Sequence, residues 1–349
     1  MRVLLCQLDG KLPNIALMRL SAYHKRRGDS VGLLHGAAFE TSTGYPEPQR
    51  VYGSAIFRVT IPLAERLRKR FPESILGGTG IDPPRAGEIV PLSPVISRTV
   101  TSIEEYGITN RGEGYADLDY EFYPQYTASL GFTQRGCRLN CSFCCVGVKE
   151  GRMRSVQSVY GIWRGGDHPR HLHLLDNDFF GQANWQSHVR QIIDGHFKVS
   201  FNQGINARFL TDEAAEAIGS MNYRDDSMSV KRIYTAWDNL KDEHRLFDGL
   251  GRLVKYGVRP DHIMVYMLCG YWPGETQADR DYRRQRLREF GARPYPMPFV
   301  RTKELVGFQR WVIGAYDKRP EITWSRWVAA DYRPEKLGLL QAESVLELQ

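Results

Sequence analysis

The chain has 349 residues, 42% hydrophobic and 25% charged, a composition that fits a soluble globular protein and excludes a disordered or low-complexity one. No apolar run approaches the roughly 18 to 20 residues that span a bilayer, and the start, Met1-Arg2-Val3-Leu4-Leu5-Cys6, meets Asp9 too soon for a secretory apolar segment, so a cytoplasmic protein with no membrane partner is expected. The net charge of +7 hints at an acidic partner such as a nucleotide or nucleic acid, and six cysteines with three in one loop do not form a disulfide framework.

Residues 1–80 read as a small alternating domain. Val3 to Leu8 is a short apolar strand, and Asn14 to Arg27 carries Ile15, Leu17, Met18, Leu20 and Tyr23 at helical spacing before Gly28 stops it. Strands follow at Ser30 to His35 and Val51 to Phe57, a helix from Pro62 to Phe71, and a fourth strand at Ser74 to Leu76 that runs into Gly77-Gly78-Thr79-Gly80. Strand, helix, strand repeated predicts a Rossmann-like parallel sheet. Its glycines fall at strand ends, where such sheets bind ligands, and where tight turns explain them equally well.

Residues 81–126 read as a linker, with Pro83-Pro84, Pro91 and Pro94 and then the aromatic and acidic stretch from Tyr115 to Tyr126. From 127 to 300 the pattern is strand, loop, helix with a period of about thirty residues. Strands are expected at Ala128 to Thr133, His171 to Leu175, Lys198 to Asn202, Ile233 to Ala236, His262 to Leu268 and Arg293 to Pro298. Helices are expected near Val156 to Arg164, Trp185 to Ile193, Asp212 to Ile218, Glu243 to Tyr256 and Ala278 to Phe290. Six strands predict an α/β fold with a partial barrel whose active residues sit at the C-terminal strand ends. The prolines of Pro294-Tyr295-Pro296-Met297-Pro298 predict a last strand that cannot continue a regular ladder. Residues 301–349 read as a helical extension, with a helix around Leu305 to Tyr316 and an aromatic stretch at Trp324 to Trp327.

The first of these strands opens onto Gly136-Cys137-Arg138-Leu139-Asn140-Cys141-Ser142-Phe143-Cys144, three thiols spaced C-x3-C-x2-C. A cubane 4Fe-4S cluster is normally held by four thiolates, so Cys137, Cys141 and Cys144 would leave one iron open. Structural zinc is the competing reading, but it needs a fourth ligand: Cys145 is adjacent to Cys144, and no second C-x2-C or H-x3-H pair occurs. Cys6, Cys145 and Cys269 read as isolated thiols.

C-x3-C-x2-C with an aromatic residue before the last cysteine resembles the signature of radical S-adenosylmethionine (radical SAM) enzymes. That resemblance implies a 4Fe-4S cluster and SAM as cofactors, an external flavodoxin or ferredoxin as reductant, and reductive cleavage of SAM to a 5′-deoxyadenosyl radical that abstracts a substrate hydrogen. It further implies that Asp176 accepts the SAM ammonium, with Asn177 and Asp178 as neighbours or substrate ligands. Arg208 would fork onto the SAM carboxylate, against the alternative of a surface salt bridge. Thr235-Ala236-Trp237-Asp238 would meet the ribose hydroxyls, with Trp237 either lining the pocket or filling core. Phe143 and the backbone around Met297 would contact adenine. The run Lys149-Glu150-Gly151-Arg152-Met153-Arg154 reads either as a binder of a substrate phosphate or carboxylate or as a solvated charged face.

The first domain resembles the cobalamin-binding layer of the B12-dependent subgroup. Where that subgroup has D-x-H-x-x-G, this chain has Asp9-Gly10-Lys11-Leu12-Pro13, without histidine, so cobalamin is not expected and a degenerate domain is. Arg135-Gly136-Cys137 also resembles methylthiotransferases, whose second cluster needs three more cysteines in the N-terminal domain, whereas only Cys6 lies there. Outside the enzymes, the alternative is a nucleic-acid-binding protein with a structural cluster or zinc.

Overall fold

A computed structural model describes residues 1–42, 47–81 and 118–337. Most of the linker read over 81–126, including its prolines, and the last residues of the C-terminal extension lie outside the described residues. Contacts divide the chain into two compact units, one of residues 1–203 with 226–228 and one of residues 204–225 with 229–349.

The first unit opens with β1 (Arg2–Gln7), α1 (Ile15–Arg26), β2 (Ser30–His35), β3 (Arg50–Ser54), α2 (Ile61–Arg70) and β4 (Ile75–Gly77). The strands pair in parallel in the order β2-β1-β3-β4, a Rossmann-like sheet. β1 is apolar almost throughout because both its faces are covered. Val3 and Leu5 pack with Leu17 and Leu20 of α1, while Leu4 and Cys6 pack with Ala64 and Leu67 of α2. Asn14 starts α1 by accepting from the Leu17 amide at 3.2 Å.

Residues 118–126 join this sheet to the remaining strands of the unit. Tyr123 donates its hydroxyl to Gln7 Oε1 at 2.7 Å, Ser21 donates to Asp119 at 2.6 Å, and the Leu130 amide donates to the Tyr120 hydroxyl at 3.0 Å. Met18, Leu118, Tyr123 and Leu130 share one apolar cluster. Next come β5 (Ser129–Gly131), β6 (Gln134–Arg135), α3 (Val146–Glu150), β7 (Arg154–Ser155), α4 (Val159–Ile162), β8 (His171–Leu174), α5 (Trp185–Asp194) and β9 (Lys198–Phe201). β5, β8 and β9 lie side by side in parallel, and β6 pairs with β7 antiparallel.

The second unit contains α6 (Asp212–Ser220), β10 (Asn222–Tyr223), β11 (Ile233–Ala236), α7 (Glu243–Lys255), β12 (Ile263–Cys269), α8 (Gln277–Phe290), β13 (Arg293–Pro298), α9 (Lys303–Ile313) and α10 (Trp324–Ala329). β11, β12 and β13 form a three-stranded parallel sheet. The molecule is thus α/β with several parallel sheets, and strand pairing closes no barrel among the described residues.

Two expectations are corrected here. The proline-rich strand does continue the ladder: Arg293 to Pro298 pair residue by residue with Met264 to Cys269. β13 is an edge strand, and its prolines occupy alternate positions that face away from β12, where the Pro296 carbonyl accepts from Gln309 of α9 at 2.8 Å. The helix expected over Val156 to Arg164 shrinks to Val159–Ile162. Ser158 caps its start, and the Gly165-Gly166 pair, both with left-handed φ, lies just past its end.

Candidate functional site

The cysteine loop leaves β6 at Gly136 and returns through α3 to β7. Gly136 has φ +75°, and a Cβ there would meet the Arg152 carbonyl oxygen at 2.5 Å, so only glycine lets the two ends of the loop approach so closely. No cysteine of the chain is in a disulfide, and Cys137, Cys141 and Cys144 are each partly exposed. The Leu139 amide donates to Cys137 Sγ at 3.4 Å, and the Cys144 amide closes a turn onto the Cys141 carbonyl at 3.0 Å. Burial pushes the Cys137 and Cys144 thiols up, opposed by amide donation from Leu139 and Val146 respectively. Each thiol is raised further by its neighbours, Cys137 by Asp178 and Cys141, and Cys144 by Cys145, Cys141 and Cys137. Backbone amides aimed at sulfur favour thiolates, the form that binds metal. Among the described residues, no group of three or more His, Cys, Asp or Glu stands placed to hold a single metal ion. A cubane reaches each thiolate through a different iron, so the donor set fits a cluster chemically: three reduced thiols on one loop, two receiving amide donors. Phe143 is half-buried within this loop.

The Asp176-Asn177-Asp178 stretch past β8 divides its work. Asp176 is 3% exposed; its Oδ1 accepts from Thr133 Oγ1 at 3.2 Å and from the Gln134 amide, whereas Oδ2 has no hydrogen-bond partner among the described residues. Burial raises its carboxyl to about 7, despite the donors from Gln134 and Thr133. An orphaned, buried carboxylate oxygen fits a bound ammonium. Asn177 instead braces the cysteine loop, donating to Glu150 Oε2 at 2.9 Å. Asp178 pairs with Arg138, the residue after Cys137, at 2.6 Å.

The other candidates lie in the second unit. Arg208 is paired with Asp242 at 2.6 Å, and the turn that carries it is held by the Ala207 amide on Thr235 Oγ1 at 3.3 Å. Thr235 is therefore committed to the fold. Trp237 is fully buried and fills core, donating to the Asn239 carbonyl at 2.9 Å. Asp238 is half-buried and raised to about 6 by burial, against the opposing Arg208 and Arg283 guanidinium groups. The Met297 side chain is exposed, and its strand is paired, so the backbone freedom expected there is absent.

Four contributors escaped the sequence reading. Glu150 turns back onto the loop rather than toward solvent or ligand. Gln134 and Gln182 are buried around Asp176, Gln182 donating to Thr133 Oγ1 at 3.0 Å. Arg283, 1% exposed, donates to the carbonyls of Trp237 and Leu268 at 2.9 Å each and pairs with Glu275. A buried arginine on an otherwise charged helix has no sequence signal.

In the N-terminal sheet, the Asp9 carboxylate accepts from the Ile56 amide at 2.7 Å, the Phe57 amide at 2.9 Å and Thr60 Oγ1 at 2.6 Å. At Gly78, with φ +103°, a Cβ would meet the Ala55 carbonyl oxygen at 2.2 Å. The loops after β1, β3 and β4 thus brace one another.

The fold and site define an α/β protein with a stapled three-thiol loop beside a buried carboxylate. Comparison with protein-family models, with curated proteins and with solved structures finds no match. No helix among the described residues is long and apolar enough to cross a membrane.

Proposed function

We propose that this chain is a radical SAM enzyme that acts on an unidentified substrate, a nucleotide or nucleic acid being favoured by its net charge. The observation that carries this reading is the loop with Cys137, Cys141 and Cys144 as reduced thiols, backbone amides directed at two of the sulfurs. When bound, a 4Fe-4S cluster supplied with electrons by a flavodoxin or ferredoxin would provide reductive cleavage of SAM.

The chain's own residues have separable tasks in this proposal. Cys137, Cys141 and Cys144 hold iron and leave one position open. Asp176 Oδ2 receives the methionyl ammonium of SAM. Phe143 borders adenine. The N-terminal sheet acts as a scaffold without cobalamin, because the Asp9 to Pro13 segment offers no histidine, and the Asp9 carboxylate is engaged by neighbouring loops.

Anaerobic reconstitution tests the reading. About four irons and four sulfides per chain are expected, lost in the Cys137→Ala, Cys141→Ala, Cys144→Ala triple variant and retained in Cys145→Ala. Zinc in the purified protein, or a full cluster in the triple variant, refutes it. Protein expressed with hydroxocobalamin should purify free of corrinoid; stoichiometric retention would overturn the scaffold assignment.

A further inference from the structure

We infer that Glu150 is the residue that holds the cysteine loop shut before any metal arrives, a positioning role that takes its purpose from the iron-sulfur reading but not its geometry. One oxygen, Oε2, accepts from three donors: the Gly136 amide at 2.9 Å, Arg135 Nε at 3.1 Å and Asn177 Nδ2 at 2.9 Å. These donors come from the start of the loop, the end of β6 and the segment past β8. Glu150 itself ends α3, so its carboxylate ties the exit of the loop to its entrance. The side chain is only 10% exposed, and its own carbonyl accepts from Arg154 of β7 at 2.8 Å. The Arg135 guanidinium is in turn fixed over the Phe132 ring, 4.2 Å from its centroid.

The peptide groups on both sides of Gly136 are thereby immobilised. Its amide is on Glu150 and its carbonyl accepts from Gln134 Nε2. The next residue is Cys137. Its backbone approach is thus fixed by side chains, and the ion pair of Arg138 with Asp178 secures its other side. A loop held in this way presents Cys137 in place, and incoming iron need not order it. Charge-assisted acceptance by a screened carboxylate is worth more than a neutral contact, and three donors on one oxygen make its loss felt at every one.

The test uses metal-free full-length protein and follows alkylation of each cysteine by iodoacetamide with mass spectrometry, comparing wild type, Glu150→Gln and Glu150→Ala at one pH. In Glu150→Ala, Cys137 should react about tenfold faster than in wild type, as loss of these contacts implies. Buried Cys6 and Cys269 should be unchanged, which reports that the fold is kept. Glu150→Gln retains an acceptor and should restore most of the protection, which a simple change of local charge would not. Equal acceleration in both variants, or none in Glu150→Ala, overturns the proposal. Should Glu150→Ala fail to fold, Asn177→Ala removes a single donor and should give a smaller acceleration at Cys137; none there, with Glu150→Gln equal to wild type, also overturns it. Iron is absent throughout, so a positive result stands even if reconstitution shows that the loop binds no cluster.

Discussion

Burial raises the Asp176 carboxyl to about 7, so near neutral pH the ligand-free protein holds this group partly protonated. The unfolded chain releases that proton near 3.9, so between about pH 4 and pH 7 the folded state binds more protons and stability falls as pH rises. Asp176→Asn imitates the neutral form. It should match wild type in urea denaturation near pH 4 and exceed it by roughly 4 kcal/mol at pH 8. Ligand binding should move the other way. An ammonium needs the carboxylate, so wild-type SAM affinity should strengthen as pH rises through about 7, whereas Asp176→Asn should show a flat profile about ten- to a hundredfold weaker. Isothermal titration of reconstituted protein across this range measures both, and a wild-type profile without pH dependence would move the ammonium to another acceptor.

At the scale of elements, Arg283 of α8 gathers the ends of two strands through the Trp237 and Leu268 carbonyls while neutralising Glu275. Replacing it with Met removes the partner of Glu275 Oε1 and of two carbonyls, while Arg280 and the Gly270 amide still hold Oε2, and should cost about 2 to 3 kcal/mol in guanidinium denaturation. A loss under 1 kcal/mol would show that the pair is dispensable. The elements themselves were largely legible. Ser30 to His35 and Ile233 to Ala236 are strands with the bounds read from the sequence, because apolar β-rich runs between glycines or charges leave little choice; Arg293 to Pro298 keeps its bounds too, although its prolines argued against a ladder. α8 begins where Thr276 and Asp279 form a capping box, a signal carried by two residues three apart. The features that escaped were tertiary. The two-residue strands β6 and β7 have no periodicity, and their pairing depends on Gly136 meeting Arg152 across the cysteine loop. Likewise the cysteine spacing was plain, but the orientation of Glu150 toward the loop was not, since a Lys-Glu-Gly-Arg run reads as solvated surface. The edge position of β13, which makes its prolines harmless, is also invisible locally.

For the molecule as a whole, residues 118–126 make the N-terminal sheet part of the unit that carries the cysteine loop. Tyr123 is central: its hydroxyl donates to Gln7 and accepts from the Asn14 amide at 3.4 Å, both buried. Tyr123→Phe should lower stability by about 1 to 2 kcal/mol while leaving one cooperative transition for this unit, read by denaturation followed at separate probes in the N-terminal sheet and near β8. Two separated transitions in wild type would show that the sheet folds independently.

The same contact has a consequence for the order of synthesis. β1, made before the other strands of its sheet, lies inside that sheet with β2 and β3 on either side, and the carboxamide at its end waits for a hydroxyl 116 positions later in the chain. A nascent chain stalled before Tyr123 emerges can pair its four strands but leaves Gln7 Oε1 without that donor and α1 without its apolar cover from Leu118 and Tyr123. The contact of Tyr123 on Gln7, and the cover of α1 by Leu118 and Tyr123, can form only once the segment leading into the cysteine loop has been released.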